Sequence, residues 1–202
     1  SMKFEGLDVN VSDVQRVQLE ILIEFDRICK KHDIHYHLFA GTLLGCVRHK
    51  GFIPWDDDID ICLLRDDYNK FISICETELD SKYFMQTYET DPNSYKQSGK
   101  LRKNDTTFLQ SGYRGVDMHH GISISLMPLD NVLPHTIIGE CQRILFQVMF
   151  YTLVKIDGSR SWKRCRLTEN RLERLARYVL FVLSKAIPKR LTEFLHTKVA
   201  AC

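Results

Sequence analysis

The 202-residue sequence contains no CxxC pair, no Walker A or Rossmann glycine pattern, no internal repeat and no low-complexity stretch. Each absence removes a class of protein. Cys29, Cys46, Cys62, Cys75, Cys141, Cys165 and Cys202 stand singly, which argues against a zinc ribbon. Several fall at apolar periodic positions, so buried thiols in a reducing cytoplasm are expected. Without the glycine patterns, the usual phosphate sites of kinases and dehydrogenases are unsupported. Charges interrupt every apolar run before the ~20 residues that a membrane span needs. No signal peptide is visible, and the leading Ser1-Met2 reads as a remnant of tag removal. The net charge of +2 is too small to imply a nucleic-acid partner. What remains, 44% hydrophobic and 27% charged, is the balance of a soluble globular chain able to bury a core. Its length suits one domain, or one domain with a helical extension.

Ser12-Asp13-Val14-Gln15 has the capping-box pattern, and Val14, Val17, Ile21, Phe25 and Ile28 recur at helical spacing, which predicts a helix over about 13–31. Residues 34–40 read as a strand, followed by Gly41-Thr42-Leu43-Leu44-Gly45 as a tight turn into a short helix. Beyond Pro54, residues 58–64 have the apolar character of a buried strand. Asp66 or Asp67 then caps a helix whose core face is Tyr68, Phe71, Ile72, Cys75 and Leu79. Residues 84–88 and 121–127 are further strands. After Pro134 the pattern becomes helical, over 136–156 and roughly 166–186, with Pro188 interrupting before a last short helix. The expected class is therefore α/β (α+β), with a mixed sheet in residues 1–135 and a helical part in 136–202.

The chemically informative stretch is Phe52-Ile53-Pro54-Trp55-Asp56-Asp57-Asp58-Ile59-Asp60-Ile61. Side chains alternate along a strand, so Asp56, Asp58 and Asp60 share one face while Ile59 and Ile61 enter the core. A half-buried carboxylate without a partner costs about 3–5 kcal/mol. A divalent cation removes that cost, and hard oxygen ligands suit Mg2+ or Mn2+. The expected metal ligands are Asp58 and Asp60, with Asp56 supporting them or joining them. An EF-hand calcium loop fails because its sixth position, which needs glycine, is Ile61. Gly41-Thr42, at a strand end and opening a helix, can aim backbone N–H groups at a phosphate.

The turn and the Asp-x-Asp strand match the two-part signature of the polymerase-β-like nucleotidyltransferase fold. The run from Gly41-Thr42-Leu43-Leu44-Gly45 through Arg48-His49-Lys50-Gly51 to Asp60 resembles the LicD family, the phosphorylcholine transferases. So do Lys100-Leu101-Arg102-Lys103-Asn104-Asp105-Thr106-Thr107 and the block from Gly121 to Pro128-Leu129-Asp130. The likeness covers about residues 14–135, and the fukutin-related enzymes share the same core. It implies metal-dependent transfer of a phosphocholine-like phospho-alcohol from a cytidine diphosphate (CDP)-linked donor to a hydroxyl of a glycan or cell-surface polysaccharide precursor. Two alternatives are a nucleotidyltransferase acting on a small acceptor and a silent donor-binding module. The family carries an aspartate where this chain has Ser125, which makes Ser125 a site position with one carboxylate fewer; Asp130 is a candidate substitute. The family also continues past Cys202 into a further block, so residues 136–202 read as an extension cut short.

Arg48, Lys100 and Arg102 lie within these blocks and are candidates to hold the diphosphate, since phosphoryl transfer is mostly positioning and charge stabilisation. Trp55, with Phe52, Tyr36 or Tyr88, either forms an aromatic wall for a quaternary ammonium or packs in the core. His119 and His120 are weak metal candidates, because neighbouring strand side chains face opposite ways. Between Lys163 and Arg190 lie nine basic and two acidic residues interleaved with Leu172, Leu175, Tyr178, Val179, Val182 and Leu183. This basic amphipathic helix either packs on the catalytic half or meets an anionic membrane and a lipid-linked acceptor. The expected location is the cytoplasm, with the inner membrane face as the place of any such contact.

Overall fold

A computed structural model of the chain describes residues 10–94, 98–109 and 116–130, two short strands near the start, and a few positions between 136 and 182. The chain divides into two units. The first holds residues 1–94, 98–108 and 118–129; the second holds 95–97, 109–117 and 130–202. The helices expected over 136–156 and 166–186, and the break at Pro188, lie mostly outside the described residues. Within the second unit Leu175, Tyr178, Val179 and Val182 are helical and exposed. Among the described residues no helix is long and apolar enough to cross a membrane.

The first unit opens with β1 (Lys3–Phe4) and β2 (Leu7–Asp8), an antiparallel pair, and continues into α1 (Val11–Lys31). The Ser12 capping box does not form. Asn10 occupies the N-cap without a side-chain bond, so the helix starts two residues early and Gln15 is left to point elsewhere. Its buried stripe is Val14, Gln18, Ile21, Phe25 and Ile28, together with Cys29. There follow β3 (His37–Leu38), α2 (Ala40–His49), β4 (Asp60–Leu64), α3 (Arg65–Glu78), β5 (Tyr83–Gln86), β6 (Gly99–Lys103) and β7 (Ser123–Leu129).

Two expected elements change shape. The strand at 34–40 shrinks to β3, because Ala40 takes φ 47° and turns the chain out of the extended region. The expected turn at Gly41–Gly45 is instead the first half of α2 itself. β6 escaped the sequence reading: its Lys100 and Arg102 count against a buried strand, yet both are buried, at 8% and 6% exposure. α3 begins at Arg65, with Asp66 and Asp67 inside its first turn, where negative charge suits the helix dipole; the cap position is Leu64.

The five strands order as β3-β4-β7-β6-β5, with β4 and β7 parallel and every other pair antiparallel. Because directly paired residues share a face, the register separates two surfaces. Ile59, Ile61, Leu63, Met85, Leu101, Ile124 and Leu126 line one face and join Ile21, Phe25 and Ile28 of α1 and Tyr68, Phe71 and Cys75 of α3 in a single core. Phe25 and Phe71, both fully buried, pack with ring centroids 4.7 Å apart, each contributing about 1.5–3 kcal/mol through burial. Burial pushes the thiols of Cys29 and Cys75 up to about 12, so they remain protonated and inert. Cys46, on α2, is exposed and departs from the expectation of buried thiols. The opposite face carries the row Asp60–Ser125–Lys100–Gln86, all paired across neighbouring strands.

Candidate active site

That polar row runs into the loop before β4. The ladder between β4 and β7 begins at Asp60↔Ser125, and Ser125 N–H donates to the Ile59 carbonyl at 2.8 Å. Asp58 therefore sits just outside the ladder, at its entrance. Asp56 lies two residues before Asp58 in the same loop, near enough for its charge to act on the Asp58 carboxyl. Partial burial, then the charge and contact of Asp56, and the charge of Asp57, push the Asp58 carboxyl above the usual range; Lys100 pulls it the other way. As a whole residue Asp58 is exposed, so the desolvation is one-sided and the carboxylate remains reachable from solvent.

α2 brings its N-terminus against this pair. Its buried face consists of small residues, Gly41, Thr42 and Gly45, so the helix lies close to the loop it packs on. A methyl group added at Gly41 would stand 2.7 Å from Asp56 Oδ2. Thr42 Oγ1 accepts from the Asp60 N–H at 2.9 Å and so ties the helix to the first residue of β4. No side chain caps α2, and the positive end of the helix favours the carboxylate of Asp56 or a phosphate. Ala40, immediately before Gly41, holds a left-handed backbone that an L-residue adopts at a cost of about 1 kcal/mol.

Lys100 closes the site from β6. Its Nζ donates to Ser125 Oγ at 3.5 Å, a long bond. Arg102, two residues on, shares the Lys100 face, but its guanidinium donates from Nε to Gln86 Oε1 at 2.7 Å and from Nη1 to the Gly121 carbonyl. It forms one end of a buried network, because Gln86 Nε2 donates to Asp91 Oδ2 and the His119 carbonyl, and Asp91 Oδ2 accepts from the His119 N–H. His119 spends both ring nitrogens: Nδ1 accepts from Gly121 N–H at 3.0 Å, which leaves Nε2–H to donate to Asn104 Oδ1 at 3.0 Å. Burial, and then the charge of Arg102, hold it below the ordinary histidine range. No lone pair is left for a metal.

Trp55 is 77% exposed, which removes the core-packing alternative for it. Of its suggested companions, Tyr36 is committed to the core, edge-on to Phe25 at 4.9 Å with its hydroxyl on Asp26; Phe52 and Tyr88 are half-buried. Arg48 is exposed in the last turn of α2, about 10 Å along the axis from Gly41. Asp130 falls in the second unit.

Among the described residues no three His, Cys, Asp or Glu side chains converge on one point to hold a metal by themselves. Two neighbouring carboxylates suit Mg2+ nonetheless, because that ion commonly takes one or two carboxylates and completes its shell with water and substrate phosphate. Asp56 and Asp58 lie in the loop before β4, while Asp60 is the first residue of β4, in the row of Ser125 and Lys100. Reading the sequence missed Gln15 and Gln18 of α1, whose side-chain amides donate to the carbonyls of Ile53 and Asp56, and of Asp57 and Ser123. A signal was present: Gln18 interrupts an otherwise apolar stripe.

Parts of this chain are similar to known proteins. The family described as LicD/FKTN/FKRP, nucleotidyltransferase domain, matches residues 33–124. The lipopolysaccharide cholinephosphotransferase LicD of Haemophilus influenzae is 44% identical over 81 residues, which are 40% of this chain and 31% of that protein. Uncharacterised proteins of Rickettsia typhi and Rickettsia prowazekii are 40% and 42% identical over 55 and 48 residues, 27% and 24% of this chain. The matches span less than a third of the length of any of these relatives. Asp56, Asp58, Asp60, Gly41, Thr42, Lys100 and Arg102 fall inside the matched segment; Ser125 lies just beyond it, and Gln15 and Gln18 well before it. Residues 33–124, just under half of the chain, are thus similar to the nucleotidyltransferase domain of the LicD/FKTN/FKRP family.

Proposed function

We propose that this domain is the donor site of a divalent-cation-dependent transferase, moving a phospho-alcohol of the phosphocholine kind from a CDP-linked donor to a hydroxyl of a glycan. The observation that carries the reading is the Asp56 carboxylate lying against Gly41 at the N-terminus of α2, with Asp58 two residues on in the same loop. The Haemophilus relative, named as a lipopolysaccharide cholinephosphotransferase, supports the transferred group and the class of acceptor.

In this reading Asp56 and Asp58 hold Mg2+ or Mn2+, and Asp60 stands ready on the adjoining strand. The bound cation supplies neutralisation of the donor diphosphate and of the leaving nucleotide. The chain's own groups orient the donor: the first-turn N–H groups of α2 at Gly41 and Thr42 meet phosphate oxygens, and Lys100 adds a positive charge beside Ser125. Arg48 serves a more distant part of the donor, and Arg102 holds the strand that presents Lys100. Exposed Trp55 is the face for a quaternary ammonium, a contact of about 1–2 kcal/mol where desolvated. A lipid-linked acceptor at the inner membrane face, met by the basic segment 163–190, completes the proposal, with no nucleic-acid partner.

One observation favours a second reading, a donor-binding module without turnover: the residue opposite Asp60 is Ser125, bonded to Lys100, and no carboxylate stands there. Calorimetry and thermal shift with Mn2+ and CDP-choline, CDP-ribitol, a UDP-sugar and ATP, followed by a turnover assay, decide between them. The transferase reading expects Mn2+-dependent binding of a CDP-linked donor and release of CMP (cytidine monophosphate) with a glycan acceptor. Binding without release selects the silent module. Stabilisation by ATP or the UDP-sugar alone overturns the donor assignment.

A further inference from the structure

Gln18 stands where the repeat of α1 calls for an apolar side chain, and it is 2% exposed. A buried amide is costly unless it is hydrogen-bonded. Its Nε2 donates to the carbonyls of Asp57 at 2.7 Å and Ser123 at 3.3 Å, while Oε1 has no partner among the described residues. One turn earlier, the half-buried Gln15 donates from Nε2 to the carbonyls of Asp56 at 2.8 Å and Ile53 at 3.1 Å. The two amides therefore grip the backbone on both sides of the carboxylate pair. One side is the loop that carries Asp56 and Asp58; the other is the first residue of β7, two before Ser125.

A loop carrying two like charges two residues apart tends to swing one of them away, because repulsion between carboxylates is relieved by a small movement of either. Among the described residues, the backbone of this loop is closed by a single turn, with Asp56 N–H donating to the Ile53 carbonyl. α1 supplies what the loop lacks. It is fastened into the core by Ile21, Phe25 and Ile28, and side chains on such an element are held more precisely than those on a loop. We propose that Gln15 and Gln18 are positioning residues, with α1 acting as a splint that holds the backbone of the loop carrying Asp56 and Asp58 in place in the cation-free protein. This rests on the reading of that pair as a divalent-cation site, and it adds to the site a helix that precedes the family segment.

The test uses the whole chain. Gln18→Met and Gln15→Met keep the volume of the side chain and remove its donors. In the buried stripe methionine also removes an unpartnered oxygen, so Gln18→Met is expected to remain folded by circular dichroism. Both variants should bind Mn2+ at least about tenfold more weakly by calorimetry. Both should show faster amide hydrogen exchange over residues 53–58 without any metal present. A purely structural role lowers the melting temperature and leaves both readouts, measured on folded protein, unmoved. Asp58→Asn is the control that loses Mn2+ binding. Folded glutamine variants with the parent's Mn2+ affinity and exchange rates overturn the splint and leave the cation site standing. A parent chain that does not bind Mn2+, or an Asp58→Asn variant that binds as the parent does, overturns the cation reading and the splint with it. If Gln18→Met fails to fold, Gln15→Met decides alone.

Discussion

Asp58 sits where ionisation is disfavoured, and the direction of its shift has a consequence for stability. The folded chain holds the Asp58 proton more tightly than the unfolded chain, through partial burial and the nearby Asp56 charge. The stability this lends is fully present below the ordinary carboxylate range and is lost as pH rises through the raised folded value. At neutral pH the metal-free protein therefore carries a penalty that Asp58→Asn removes. The expected gain is about 0.5 kcal/mol, discounted for the exposure of the residue and solvent screening. It should vanish in melts at about pH 3, below the ordinary range. With Mn2+ present the order reverses, since the parent gains stability from the ion and the variant does not. A gain that persists in acid would mean that something other than charge is responsible. Ser125 invites the opposite substitution. Its position opposite Asp60 and beside Lys100 gives a new carboxylate both a cation site and a counter-charge. Ser125→Asp should tighten Mn2+ binding by about an order of magnitude, read by calorimetry, with Lys100 offsetting part of the added repulsion. Unchanged affinity would place the third acid elsewhere in the chain. At this scale the acidic stretch was legible because charge inside an apolar strand is conspicuous. The partners of Arg102 and His119 were not, because hydrogen bonds between distant segments leave no periodic trace.

Among the elements, α2 is unusual in turning its small residues inward and Leu43, Leu44 and Val47 outward. Hydrophobic spacing alone therefore points to the wrong face, and the sequence reading took Gly41–Gly45 for a turn. The two inward glycines differ in what lies over them. A methyl at Gly45 would stand 2.6 Å from the Gly51 carbonyl oxygen and 3.0 Å from the Ile53 nitrogen, both backbone atoms that cannot step aside. Gly45→Ala should cost about 2–3 kcal/mol of stability. A methyl at Gly41 meets only the flexible end of Asp56. Gly41→Ala should leave stability within about 0.5 kcal/mol while displacing the carboxylate and weakening Mn2+ binding. Chemical denaturation and calorimetry on the pair separate the two roles; equal loss of stability in both variants would show that Asp56 is not free to move. α1 and α3 were legible from their 3.6-residue repeats, while strand ends depended on partners. β4 starts at Asp60 rather than Asp58 because its ladder to β7 begins at Asp60↔Ser125, although β7 itself begins at Ser123, and β6 was missed because its second face carries cations where a core residue was expected.

For the molecule as a whole, the mixed α/β character of the first unit followed from its alternating patterns, but the order of the strands did not. Nothing local tells β7 to lie between β4 and β6; its apolar face would fit any vacant place in the sheet. That late central strand bears on how the chain comes to be folded. Gln18 and Ser123, which are bonded in the finished protein, are separated by 105 positions, and contacts at such separation form slowly because a long loop must close first. A chain emerging from the ribosome has β4, β5 and β6 available well before β7. During that interval both β4 and β6 present an open edge, with Ile61, Leu63 and Leu101 beside it, and such edges pair readily with the wrong chain. The strand that carries Ser125 is thus also the one that seals the sheet, and aggregation during synthesis is the hazard that its arrival ends.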